Sequence, residues 1–295
     1  MHTLVEALRV GRVLLMDGAM GTELQRAGLC DSDCCESWNL AHPDRVSTVH
    51  TSYVDAGATV LLTNTFQAHS TALQRYGLGD HLADVWSAAI RLARRAAPDS
   101  WILADLGPFE TDSNPEQLRL LIEFCRQTDG LFFETLSELD GSAVSFLAAL
   151  RESDPQFPVF VSFTYLKEAD GEVRTRTGQT AQECAHQAIE AGASAVGTNC
   201  GRDIGLPEMC EVISSYRCAL GQSVPVFARP NAGSPAKVGD KWRYPRTAEM
   251  MASGLNELID SGVNMIGGCC GTSPEHISAF RKVIAARAPR DAGST

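Results

Sequence analysis

Short apolar runs alternate with longer amphipathic stretches along the 295-residue chain. The runs are rich in Val, Ile, Leu and Phe, the composition of buried strands. Eight of them are read as strands, over 13–16, 59–62, 101–104, 130–133, 159–163, 194–199, 224–227 and 263–266. Between them, apolar residues recur at helical spacing. Val46, Val49, Tyr53 and Val54 do so in a stretch opened by Pro43 and running to residue 56. The same spacing predicts helices over 81–97, 115–127, a stretch ending at 151, 207–220, 247–261 and 274–286. Thr180, with Glu183 three residues on, reads as a capping box that opens another. The polar stretch 167–178 reads as a loop or hairpin.

Eight strand–helix units with no linker between them predict α/β architecture, a single (β/α)8 barrel over residues 1–288 with a frayed tail at 289–295. An open doubly wound sheet is the alternative. A barrel brings all strand ends to one mouth. Asp17, Asn64, Asp105, Glu134, Cys200, Asn231, Cys269 and Cys270 then line it. Strands one and eight are neighbours in a closed barrel, so Asp17 is expected near Cys269 and Cys270.

Charge and composition narrow the partners. The formal net charge of −11 argues against nucleic acid. The chain opens without a basic segment leading into an apolar signal region, and no apolar run is long enough to span a bilayer. The reading is therefore a cytoplasmic protein with no membrane partner, whose ten cysteines stay reduced rather than forming a disulfide framework.

Three of those cysteines share an unusual context. Cys269 and Cys270 sit in Gly267-Gly268-Cys269-Cys270-Gly271-Thr272, between the last strand and the last helix. Cys200 ends another strand, in Thr198-Asn199-Cys200-Gly201. The glycines allow sharp turns and close approach of a ligand. Three thiolates suit zinc in tetrahedral geometry with one position open, as in catalytic sites. Such a site can take a fourth sulfur and deprotonate it, giving a nucleophile suited to an electrophilic methyl group. Cys125, Cys184, Cys210 and Cys218 lie in helical patterns and read as small buried hydrophobes. Cys30, Cys34 and Cys35 cluster in a polar loop without paired CxxC spacing and read as incidental.

Asp17 and Glu134 suit an ammonium group, or serve as caps and ion-pair partners. Asn64, Asn199 and Asn231 can bond a substrate carboxylate or satisfy turn backbone. Backbone amides after Gly18 and Gly201 are further anion donors.

These segments resemble the homocysteine S-methyltransferase family. The resemblance rests on Met16-Asp17-Gly18-Ala19-Met20-Gly21-Thr22-Glu23-Leu24, Thr63-Asn64-Thr65-Phe66, Phe133-Glu134-Thr135, Val161-Ser162-Phe163, Thr198-Asn199-Cys200-Gly201, Arg229-Pro230-Asn231-Ala232-Gly233 and the cysteine doublet with Pro274-Glu275-His276-Ile277. It implies a barrel with zinc held by Cys200, Cys269 and Cys270. It implies homocysteine as substrate, its amino group held by Asp17 and Glu134, with backbone near Gly18 and Asn199 taking part. Asn231 matches an asparagine that approaches zinc when substrate is absent.

Thr63-Asn64-Thr65-Phe66 looks like the cobalamin-dependent branch, which implies methylcobalamin or a separate corrinoid protein as donor, since the chain is read as too short for a cobalamin domain of its own. S-methylmethionine or S-adenosylmethionine is the alternative. Two departures bear on the donor. The stretch between Gly107 and Phe132 is shorter than in the family, which should widen the mouth there, and Arg229 stands where the family commonly has lysine. A non-catalytic zinc-binding or redox-sensing protein is the reading from another class. A phosphate-binding barrel aldolase or isomerase lacks a lysine at a strand end, since Lys167 and Lys237 lie elsewhere.

Overall fold

Eight parallel strands form one sheet: β1 (Leu14–Leu15), β2 (Val60–Leu62), β3 (Trp101–Leu106), β4 (Gly130–Leu136), β5 (Val159–Phe163), β6 (Ala195–Asn199), β7 (Val226–Arg229) and β8 (Met265–Ile266). The computed structural model describes residues 3–109, 115–201, 203–238 and 241–287, so the expected tail at 289–295 lies outside the described residues. Neighbours follow chain order from β2 to β8, and β8 pairs with β1. A parallel bridge between Met16 and Val60 brings β1 back to β2. The Asp17 N–H donates to Val60 O at 3.0 Å and the Thr59 N–H to Leu15 O at 2.8 Å across that seam. The architecture is the expected (β/α)8 barrel, not the open sheet.

Pleating sorts the strand residues into two cores. Met16, Val60, Leu62, Leu103, Phe132, Phe160, Ala195, Phe227 and Met265 fill the barrel interior. Their neighbours in sequence, such as Leu61, Ile102, Leu131, Val161 and Val196, face the surrounding helices. The helix Pro43–Ala56 has the expected bounds, with Pro43 in its first turn and Gly57 at φ 105° as its C-terminal stop. Helix Leu82–Ala96 buries Leu82, Val85, Trp86, Ala89 and Ala93 on one face. The capping box at Thr180 and Glu183 opens helix Ala181–Glu190. The polar stretch carries a small hairpin of Leu166–Lys167 against Val173–Arg174.

Some details depart from the pattern-based expectation. β7 begins two residues late, because Pro225 has no N–H to give the ladder. The helix expected over 247–261 breaks at Gly254 into Ala248–Ser253 and Leu255–Asp260. A Cβ on Gly254 would lie 2.8 Å from Leu206 Cδ1, so this glycine lets helix Leu206–Leu220 approach. A short helix, Leu4–Arg9, has no counterpart in the apolar pattern. Its Leu4 and Leu8 join the interior core, and Asn264, just before β8, bonds Leu8 O at 3.2 Å. The helix therefore plugs the N-terminal end of the barrel. No described helix is long and apolar enough to cross a membrane.

Phe227 is the centre of the interior core. Its ring lies 5.0 Å from that of Phe132 and 6.2 Å from that of Phe160, and it occupies the space left by Gly197. Phe227→Ala is expected to lower unfolding free energy by about 3–5 kcal/mol. Urea denaturation checks this; a loss below about 1 kcal/mol would mean the interior refills without it.

Candidate active site

The period of two that fills the barrel with apolar side chains also builds the site. One step of two residues along the inner face carries β3 from Leu103 to Asp105, β4 from Phe132 to Glu134, β5 from Phe160 to Ser162 and β7 from Phe227 to Arg229. β6 ends at Asn199 on the same level. All five are at least nine-tenths buried. A polar layer thus lies on top of the apolar one, at the C-terminal mouth where barrels carry their chemistry.

The three expected thiols converge above this layer. The Cys200, Cys269 and Cys270 sulfurs lie within 4.8 Å of one another. Cys200 Sγ and Cys269 Sγ are each 4.0 Å from Cys270 Sγ. Tetrahedral coordination at a zinc–sulfur distance of about 2.3 Å places sulfurs about 3.8 Å apart, so the spacing fits such an ion. Hydrogen bonds from Cys269 and Cys270 hold the Cys200 thiol below the ordinary thiol range, and the same contacts push Cys270 up to about 12 and raise Cys269. A bound cation would favour the thiolate form of all three. Asn231 donates to Cys200 Sγ at 3.4 Å. A cleft of about 560 Å³, lined by Thr164, Asn231 and Tyr244 among others, opens onto Cys200 and Cys270.

Backbone bonds set the cysteine loops. The Cys269 N–H donates to Pro230 O, and the Ala232 N–H to Cys270 O, both at 2.9 Å. Thr272 Oγ1 donates to Cys269 O at 2.7 Å. Gly271 takes φ 81°, and a Cβ there would lie 2.1 Å from Tyr244 Cγ. A Cβ on Gly268 would fall 2.1 Å from Thr272 Oγ1. The space beside these two glycines is thus taken by the protein's own side chains, where the sequence pattern gave it to a ligand.

Below the sulfurs lies a buried charge network. Arg229 Nη2 donates to Asp17 Oδ1 at 3.1 Å, and Nη1 is 3.7 Å from Glu134 Oε1. Arg229 Nε donates to Gly268 O at 3.0 Å and Nη2 to Gly18 O at 3.3 Å. The guanidinium also sits 5.5 Å from the Phe132 ring centroid. Burial opposes its charge, but Glu134 and Asp17 outweigh that and keep it protonated more firmly than usual. Burial pushes Asp17 up to about 6, against the pull of Arg229 and of the Leu62 N–H that bonds its Oδ2 at 2.8 Å. Burial likewise raises Glu134. Asp105 is raised as well, by burial and then by neighbouring Glu134.

Asn199 ties the layer together. Its Oδ1 accepts from Ser162 Oγ at 2.6 Å and from the Thr135 N–H at 3.1 Å. Its Nδ2 donates to Thr135 Oγ1 at 2.8 Å and Glu134 Oε1 at 3.3 Å, and lies 3.7 Å from Cys269 Sγ. Asn64 is buried at the end of β2. Its Nδ2 donates to Cys35 O at 2.9 Å and Asn39 Oδ1 at 3.1 Å, tying β2 to the segment 35–39. Gly18 packs where a Cβ would lie 2.8 Å from the Tyr53 ring. Tyr53 Oη donates to Ala19 O and Thr272 O, clamping β1 to the cysteine loop.

Sequence reasoning gave no site role to Arg229, Ser162 or Tyr53. For the first two the signal was present, as a polar residue on the inner face of an otherwise apolar strand. Cys125 and Cys184 are buried as expected, whereas Cys218 is exposed, on the solvent side of its helix. Cys34 bonds Glu36 Oε2 at 3.3 Å, and Cys30, Cys34 and Cys35 form no metal-holding group among the described residues.

Comparison with known proteins follows the same lines. The sequence pattern of the homocysteine S-methyltransferase family matches residues 14–284. The methionine synthases of Mycobacterium tuberculosis and Mycobacterium leprae are each 30% identical over 93% of this chain. The chain spans about a quarter of the length of those relatives, 25% and 24%. Among solved structures, the homocysteine methyltransferase MmuM from Escherichia coli in its metallated form shares the fold, with a TM-score of 0.71 and 23% identity over 94% of this chain and 98% of that one. Its oxidized form has a TM-score of 0.75 at 22% identity, covering 95% and 99%. The family match runs from β1 into the last helix and takes in every strand end described above, and on that extent the chain belongs to the homocysteine S-methyltransferase family.

Proposed function

We propose that this barrel binds homocysteine and transfers a methyl group to its sulfur, giving methionine. The observation that carries the reading is the convergence of three sulfurs within 4.8 Å directly above a buried layer of carboxylates, in a chain of this family. Zinc held by Cys200, Cys269 and Cys270 would supply an open coordination position and the charge that keeps a substrate thiol deprotonated at neutral pH.

The chain's own residues then orient the substrate. Asp17 and Glu134 receive the ammonium. Arg229 holds Asp17 in place, and Asn199 holds Glu134. Backbone near Gly18 and Asn199 completes the substrate site. Asn231, bonded to Cys200 Sγ, steadies the thiol trio. In the transfer one carbon–sulfur bond forms as the donor's bond to that methyl breaks. The cytoplasm, where thiols stay reduced, suits the chemistry.

Methylcobalamin, free or on a separate corrinoid protein, is the donor favoured by Thr63-Asn64-Thr65-Phe66 and by the likeness to methionine synthases. The segment expected to widen the mouth falls partly on residues 110–114, outside the described residues. One observation favours a cationic sulfonium, S-methylmethionine or S-adenosylmethionine, as a second reading: the mouth carries three buried carboxylates, Asp17, Asp105 and Glu134.

Two measurements test the function. Cys269→Ala is expected to lose bound zinc and methyl transfer together, while Cys125→Ala keeps both; metal analysis after desalting reads the first and methionine formation the second. Full zinc retention in the triple alanine variant of Cys200, Cys269 and Cys270 would sink the metal assignment. Methionine formation from homocysteine, with each donor offered separately, is expected with methylcobalamin. Turnover with S-methylmethionine and none with methylcobalamin or a methylated corrinoid protein would transfer the assignment to the sulfonium. Calorimetry showing no homocysteine binding would favour a non-catalytic zinc or redox protein.

A further inference from the structure

The polar layer holds three carboxylates, Asp17, Asp105 and Glu134, against one guanidinium, Arg229. Two of the three are engaged. Asp17 takes the Leu62 N–H on one oxygen and Arg229 on the other. Glu134 Oε1 takes Asn199 and faces Arg229. Asp105 is different: it is 6% exposed, and its Oδ1 has no hydrogen-bond partner. An unpaired buried carboxyl oxygen costs stability.

The residue is nonetheless held firmly. Its N–H donates to Thr63 Oγ1 at 3.0 Å, its carbonyl accepts from Thr65 Oγ1 at 2.7 Å, and those two hydroxyls lie 2.6 Å apart. These bonds engage only the backbone and leave Oδ1 unmatched on the inner face, one pleat above Leu103. That is the arrangement of a preorganised acceptor awaiting a donor.

A primary ammonium brings three N–H donors and one positive charge. We propose that Asp105 is a substrate-binding residue that completes a three-carboxylate cradle with Asp17 and Glu134, selecting a thiol that carries a primary ammonium. This rests on the reading of the barrel as a homocysteine site and adds a residue that sets its specificity. The ligand's positive charge then favours the ionised form of Asp105, which burial and neighbouring Glu134 disfavour. The cradle distinguishes an α-amino thiol from the same thiol without the amine, because the deaminated ligand leaves Asp105 as unpaired as before.

The test is calorimetric titration of the zinc-loaded chain with homocysteine and with 4-mercaptobutanoate, its analogue lacking the amine. Asp105→Asn keeps the shape and the backbone bonds; Asp105→Ser is the second variant. Both are expected to bind homocysteine about 10- to 100-fold more weakly than wild type, the range for loss of a charge-assisted bond. Both should bind 4-mercaptobutanoate within about twofold of wild type, so that discrimination between the two ligands collapses. Equal weakening for both ligands would make Asp105 structural and overturn the proposal, as would unchanged homocysteine affinity in either variant. Failure of the wild-type chain to bind homocysteine would overturn the functional reading itself, a result distinct from either.

Discussion

One buried guanidinium holds the mouth of this barrel together. Arg229 reaches from the end of β7 to Asp17 after β1, to Glu134 on β4 and to the carbonyl of Gly268 in the cysteine loop. Its charge is what makes burial of the carboxylates tolerable; removing one partner from such a set typically costs about 3–5 kcal/mol, because the remaining charges are left uncompensated. The thiol trio depends on it at one remove, since Gly268 precedes the doublet and Gly18 adjoins the Tyr53 clamp on the same loop. A lysine at this position would offer one point charge. The planar fork of arginine reaches several acceptors at once.

Backbone strain is concentrated in the same place. Thr135 and Cys200 adopt φ 63° and 58°, a region that a β-branched threonine rarely enters. Thr135 lies where the pairing of β4 with β5 shifts register, immediately after Glu134. Asn199 bonds both the N–H and the hydroxyl of Thr135, so a single amide holds the strained turn and aims the preceding carboxylate. Cys200 follows Asn199 directly. The Cys200 N–H is held instead by Arg229 O at 3.3 Å, so the two strained positions are fixed by neighbouring strand ends and present Glu134 and Cys200 at the same mouth.

The sequence carried the architecture well because the barrel rests on local signals. Each strand is a short apolar run and each helix has its own period, so eight units could be counted and strand ends assigned to one mouth. The cysteine doublet and Cys200 were legible for the same reason, being at strand ends. The relations within the polar layer were harder to read. Nothing local in Ala228-Arg229-Pro230 says that the guanidinium turns inward to meet residues more than two hundred positions away. Helix Leu4–Arg9 spans too few residues to show a period, and its purpose, sealing the barrel floor, exists only once the strands have closed. For Asn64, position at a strand end left open a ligand contact or a bond to local backbone; its Nδ2 bonds Cys35 O and Asn39 Oδ1, in a loop whose path no periodicity defines.

That sealed floor shapes the electric field. Beneath the charged layer lie the rings of Phe132, Phe160 and Phe227 and then the leucines of the plug, a buried apolar column of low dielectric constant. Field lines from the carboxylates spread poorly through such a medium and are driven toward the open end instead. The barrel therefore acts as a one-sided lens. Its interior charges are felt chiefly along the axis through the mouth, and an approaching cation meets a potential that steepens as it descends toward the sulfurs.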